Sequence, residues 1–127
     1  MKSYLIVFLG AGLGGALRHL VNILAASVAG ALLPWGTFIV NVTGSLAMGL
    51  LIGYFAFRGE ASQDLRLFLT TGLLGGYTTF SSFSLDAALL WERGAIAMAV
   101  LYVIGSVVLA IGGLALGIWL MRARASL

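Results

Sequence analysis

Few residues in this 127-residue chain have side chains suited to chemistry. There is no cysteine, one histidine (His19) and only four acids: Glu60, Asp64, Asp86 and Glu92. Thiolate sites, metal-ligand clusters and nucleophile–base pairs therefore lack their components, so no catalytic residue is expected and an enzyme is excluded. The residues that remain are polar but mostly neutral. The densest group is Thr70-Thr-Gly-Leu-Leu-Gly-Gly-Tyr-Thr-Thr-Phe-Ser-Ser-Phe-Ser84. Two glycines followed by β-branched threonines make a poor helix, so the pattern predicts a break over Gly75-Gly76-Tyr77-Thr78-Thr79. Carbonyls freed at such a break suit a cation. Beyond it, Phe80 and Phe83 share one helical face, and Ser81 and Ser84 share a neighbouring one. The plainer reading is a phenylalanine packing ridge with hydroxyls bonded back to their own helix. Asn41 carries an amide that needs partners, either as a helix cross-link, the favoured reading, or as an N–H donor to an anion. Arg18 is the only charge deep in the first apolar run and could attract an anion; His19 reads as interfacial.

The elements that must position these residues follow from composition. Apolar residues make up 61% of the chain and charged ones 9%, with a mean hydropathy of +1.12. A soluble domain carries about 25% charged residues, so a soluble globular fold is excluded. Four apolar runs suit membrane-spanning helices: about 3–32, 35–57, 67–90 and 95–121. They form a single all-α transmembrane domain over 1–127, an up-and-down bundle with both termini on one side. Arg66 and Glu92 bracket the third run, which puts the break near the bilayer midplane. Backbone released there is tolerated only inside protein or beside a cavity.

The 18 glycines fit this setting, because small residues let helices approach closely in lipid. Gly10 and Gly14, Gly49 and Gly53, and Gly113 and Gly117 are each four apart and read as packing faces. Gly10-Ala-Gly-Leu-Gly-Gly15 imitates a dinucleotide fingerprint, but no acid precedes Glu60, so that reading is rejected. Lys2 and its apolar run imitate a signal peptide, against which stand Arg18 and three further spans. Net charge is +3 without a basic stripe, so no nucleic-acid partner is expected. Lys2, Arg58, Arg66, Arg122 and Arg124 mark the terminal side, which the positive-inside rule assigns to the cytoplasm.

The motif Gly72-Leu-Leu-Gly-Gly-Tyr-Thr-Thr-Phe-Ser-Ser-Phe-Ser84 resembles the signature of the Fluc, or CrcB, fluoride channels. Gly14-x-x-x-Arg18, Gly36-Thr37 with Asn41, and Tyr102 with Ser106 fit the same pattern, so the likeness covers all four spans. The resemblance implies an antiparallel, dual-topology homodimer in the cell (inner) membrane. It implies two pores for passive fluoride efflux, which protect the cell from fluoride toxicity. It implies a central structural Na⁺ on the carbonyls of Gly75 and Thr78 from both subunits, and no organic cofactor. Phe80 and Phe83 match the family's phenylalanine box, Asn41 its vestibule amide and Tyr102 a pore-lining tyrosine. Ser81 and Ser82 match its polar track, with Ser84 and Ser106 completing the ion pathway, and Arg18 matches the first-helix arginine. Ala110 departs from members with a serine there, and Ser82 replaces a commoner threonine. The terminal-side arginine excess runs against dual topology, which favours little bias.

The implied mechanism uses no ionising residue. Fluoride holds its water tightly, and a pore must replace that water with donors while keeping each site weak. Asn41 and the serines supply donors, and the ring edges of Phe80 and Phe83 are positive. Two other classes compete. A proton-coupled small multidrug exporter shares length and span number but needs a glutamate in the first helix, where this chain has none. A structural subunit of a larger membrane complex would use the glycine faces alone.

Overall fold

A computed structural model of the protein describes residues 1–30, 32–57, 59 and 61–125. The boundary residue Arg58 lies outside the described residues. The described chain is all helical: α1 (Lys2–Ala29), α2 (Trp35–Phe57), α3 (Gln63–Leu67), a π-helical stretch (Phe68–Leu74), α4 (Gly75–Tyr77), α5 (Phe80–Glu92) and α6 (Ile96–Ala125). Helices α1, α2 and α6 are each long and apolar enough to cross a membrane. The elements from α3 to α5 together form a fourth, interrupted span. Leu5, Phe8, Leu13, Leu101, Ile104 and Ile111 all lie exposed on the outer surface. Water does not tolerate so much contiguous apolar surface, whereas lipid matches it. The chain is a multi-pass membrane protein.

α1 ends at Ala29, three residues before the expected limit. Gly30 turns the chain with φ 76°, a conformation that suits glycine, while its N–H still reaches the Ala26 carbonyl at 3.0 Å. Pro34 then precedes α2. At the opposite end Lys2 pairs with Asp64, and the Arg122 guanidinium lies 5.3 Å from the centre of the Phe57 ring. The start of α1 and the end of α6 thus share the side that holds α3.

Spaced glycines set the packing. α2 and α6 run parallel and in contact along much of their length, with Gly49 against Leu114 and Gly53 against Met121. α1 runs parallel to the interrupted span, with Gly10 against Phe68 and Gly72, and Gly14 against Leu73 and Tyr77. A Cβ on Gly49 would sit 2.1 Å from the Leu114 carbonyl oxygen, which belongs to rigid helix backbone. Gly49→Val is therefore expected to destabilise the subunit by about 1–3 kcal/mol through overpacking. A thermal-unfolding scan in detergent measures it, and an unchanged midpoint would contradict the close contact.

Candidate functional site

The third span is interrupted at Thr78 and Thr79, both extended (φ −82°, ψ 158° and φ −154°, ψ 117°). This corrects the expected position. Gly75 and Gly76 are helical, within α4. Gly76 instead permits close packing, since a Cβ there would lie 2.4 Å from the Ala11 carbonyl oxygen. Just before it the helix widens, and the Gly75 N–H bonds back five residues to the Thr70 carbonyl. The Thr78 N–H still reaches the Leu74 carbonyl at 3.0 Å, so the helix is intact up to that point.

Asn41 stabilises the break. Its Nδ2 donates to the Thr79 carbonyl at 3.0 Å, and its Oδ1 accepts the Thr79 N–H at 2.7 Å. One side chain from α2 thus satisfies both backbone groups of an extended residue that no helix can serve. It is the cross-link favoured from the sequence, and its second N–H is left for another acceptor. The same contact frees a carbonyl: the Thr79 amide would serve Gly75 in a continuing helix, but it bonds to Asn41 instead.

Thr79 also starts α5. Its Oγ1 accepts the Ser82 N–H at 3.2 Å, an N-cap that fixes the helix entry. The positive end of α5 therefore points at the break. Ser81 and Ser82 hydroxyls both lie 3.2 Å from Thr79 Oγ1. Ser84 Oγ bonds back to the Phe80 carbonyl at 2.9 Å, the plainer role read for these hydroxyls. Arg18, half-buried, reaches the Thr78 carbonyl with Nη1 at 3.5 Å. His19 is exposed.

A cleft of about 360 Å³ opens beside the break, lined by Asn41, Thr79, Phe80, Phe83, Ser106 and Ala110 among others. Ser106 Oγ is buried there without a hydrogen-bond partner. An orphaned buried hydroxyl costs about 1–3 kcal/mol, so its retention calls for a ligand or a water. Phe83 is buried between Phe80, at 5.5 Å between ring centres, and Tyr102, at 5.4 Å. Phe80 is 78% exposed and faces away from the subunit's own core. With Ala110 in the wall, the cleft lacks a hydroxyl at that point.

A second cavity of about 570 Å³ lies on the side of Pro34 and Trp35. Its polar lining is Asn22, Thr37, Ser82, Asp86 and Arg93. Tyr102 donates its hydroxyl to Asp86 Oδ2 at 3.3 Å. Ser82 lines this vestibule while bonding to Thr79, which lines the central cleft. The two cavities are thus joined by hydroxyls. Of the expected pathway residues, Asn41, Phe80, Phe83 and Ser106 line the central cleft and Ser82 the second cavity. Ser81 reaches only Thr79, Tyr102 reaches Asp86, and Ser84 bonds back to its own helix; none of these three lines either cavity. Arg18 meets the Thr78 carbonyl from α1. Sequence reasoning missed Asn22, Thr79 and Arg93 as lining residues. Nothing local in the sequence marks Asn22; only in the fold does Gly36 lie against it, where a Cβ would fall 2.1 Å from Asn22 Oδ1.

Comparison with known proteins agrees with this architecture. The chain is 61% identical over 121 residues to the "Fluoride-specific ion channel FluC" of Rhodopseudomonas palustris (strain BisB5), covering 95% of this chain and 98% of that protein. It is 60% identical over 120 residues to "Fluoride-specific ion channel FluC 2" of Nitrobacter hamburgensis, covering 94% and 97%. It is 51% identical over 122 residues to the "Fluoride-specific ion channel FluC" of Mesorhizobium japonicum, covering 96% and 98%. The family described as "CrcB-like protein, Camphor Resistance (CrcB)" matches residues 5–118, and the chain belongs to that family.

Proposed function

We propose that this chain is a fluoride-selective ion channel, not an enzyme, and that it lets fluoride leave passively across the cell (inner) membrane. The observation that carries this reading is the cleft at the break in the third span. Its lining is neutral: the Asn41 amide, the Thr79 hydroxyl, the orphan Ser106 hydroxyl and the rings of Phe80 and Phe83. Neutral donors and ring edges can replace water around a small anion without holding it permanently. The names of relatives at about 60% identity, "Fluoride-specific ion channel FluC", supply the ion.

The working unit in this reading is an antiparallel, dual-topology homodimer with two pores. Support comes from Phe80, whose ring lies bare on the subunit surface beside an open cleft. A second copy would cover the break, which lipid cannot satisfy. A central Na⁺ belongs to the same reading. Gly75 offers a carbonyl without its helical amide, and Thr78 a carbonyl with one lone pair engaged by Arg18. These oxygens fit a hard monovalent cation once both subunits contribute. Such an ion supplies positive potential to the nearby anion path.

Phe80→Ile tests the site. It keeps an apolar surface but removes the positive ring edge. Fluoride flux in liposomes is expected to fall about tenfold or more, equivalent to roughly 1.4 kcal/mol of barrier. The dimer peak in size-exclusion chromatography is expected to stay in place. Unchanged flux would remove the ring from the mechanism. Proton-driven uptake of a cationic dye without fluoride flux would favour an exporter instead.

A further inference from the structure

The second cavity carries two charges of opposite sign. Among the described residues that line it, only Asp86 and Arg93 are charged. They stand seven positions apart, about two helical turns or roughly 10 Å along the axis. Helix α5 starts at the break, so Asp86 is the inner charge and Arg93 the outer one.

The inner charge opposes an anion. Asp86 Oδ2 accepts the Tyr102 hydroxyl at 3.3 Å and forms no ion pair among the described residues. The last carbonyls of α5 bring the negative end of the helix dipole to the same mouth. A vestibule that loads anions needs a positive charge to offset both. Arg93 is placed to supply it. Its Nε donates to the Leu89 carbonyl at 3.2 Å, which caps the helix end and anchors the side chain. Its two Nη groups make no hydrogen bond among the described residues and remain for the cavity.

Asn22 lines the same space from α1 and makes no hydrogen bond among the described residues. Its Oδ1 lies against Gly36, where a Cβ would fall 2.1 Å from it. An oxygen suits that backbone C–H and an amide N–H does not, so Nδ2 is the end left for a ligand. We propose that Arg93 and Asn22 form a capture site for a small monovalent anion at the mouth of the pore. Arg93 offsets Asp86 and draws the ion in through space, and the Asn22 amide gives it a first hydrogen bond. The inference rests on the channel reading and adds the residues that load the pore from bulk water.

Single-channel fluoride current through the full chain in neutral phosphatidylcholine bilayers tests it, with an impermeant organic salt setting the ionic strength. Charges act over about 10 Å at about 0.1 M and about 3 Å at about 1 M. At the lower salt Arg93→Gln is expected to reduce the current about three- to tenfold, within the range of electrostatic steering. At the higher salt it is expected to match the wild type. Arg93→Lys keeps the charge and is expected to conduct as the wild type at both. Asn22→Ala is expected to lose about threefold at both salts, the scale of one neutral hydrogen bond. A loss in Arg93→Gln that is equal at both salts would reduce Arg93 to a helix cap and overturn the proposal, as would full current at the lower salt. Should Arg93→Gln fail to fold, Asn22→Asp leaves the cap in place and sets a negative charge in the site. It is expected to conduct less than Asn22→Ala at the lower salt, and equal currents there would overturn the proposal. A wild type that passes no fluoride overturns the channel reading and the capture site with it. A conducting wild type matched by Arg93→Gln at both salts overturns the capture site alone.

Discussion

Asn41→Leu is expected to abolish fluoride flux and to lower the stability of the subunit. Leucine fills similar space but bonds to nothing. The Thr79 N–H and carbonyl, held at 2.7 Å and 3.0 Å by Asn41, would both be left without partners. Each buried unsatisfied group costs about 1–3 kcal/mol, so the pair amounts to roughly 2–6 kcal/mol. The cheapest relief is for Thr79 to rejoin a helix, which would give Gly75 its amide back and dissolve the cleft wall. Flux is therefore expected to fall by about a hundredfold or more. Asn41→Asp separates the two roles of the amide. It keeps an acceptor for the Thr79 N–H but puts a carboxylate beside the anion path. It is expected to be better folded than Asn41→Leu and equally silent. Proteoliposome efflux and thermal unfolding read the two effects, and wild-type flux in Asn41→Leu would contradict the clamp.

Gly14→Val is expected to prevent accumulation of folded protein. A Cβ on Gly14 would lie 2.0 Å from the Leu73 carbonyl oxygen and 2.7 Å from the Tyr77 nitrogen. Both belong to helical backbone, so neither can swing aside, and α1 would have to leave the interrupted span. That move would also carry Arg18 away from the Thr78 carbonyl. Overpacking of this kind costs about 3 kcal/mol or more. Gly12 supplies the contrast. A Cβ there meets nothing within 4 Å, so Gly12→Ala gains up to about 1 kcal/mol of helix propensity. Yield and elution profile after detergent extraction separate the two. Equal yields would contradict the close α1 contact.

Much of the fold is legible because lipid simplifies the code. Apolar runs bounded by charges give the helices, and pairs of glycines four apart give the contacts of α1 and α6. The break is legible as a region and not as a position. Glycine has two uses, freedom of φ and absence of Cβ, and sequence does not say which applies. Gly76 uses the second, against Ala11, and stays helical. The chain opens one step later because Asn41, 38 residues upstream, takes both backbone groups of Thr79. No local propensity encodes that non-local bond. The π-helical stretch is equally silent, since Thr70 and Gly72 would sit as well in an ordinary helix. Thr79 looked like another hydroxyl in a cluster, and only its geometry makes it the junction of two cavities. Asn22 and Arg93 line the vestibule from α1 and the end of α5, which are far apart in sequence.

Passive fluoride efflux is the most direct test of the central claim. The purified full chain is reconstituted in liposomes loaded with potassium fluoride, valinomycin is added, and release is followed with a fluoride electrode. A parallel preparation is loaded with potassium chloride. The account predicts rapid fluoride release above empty vesicles and chloride release no faster than theirs. Fluoride release equal to that of empty vesicles, or chloride release as fast as fluoride, would contradict it.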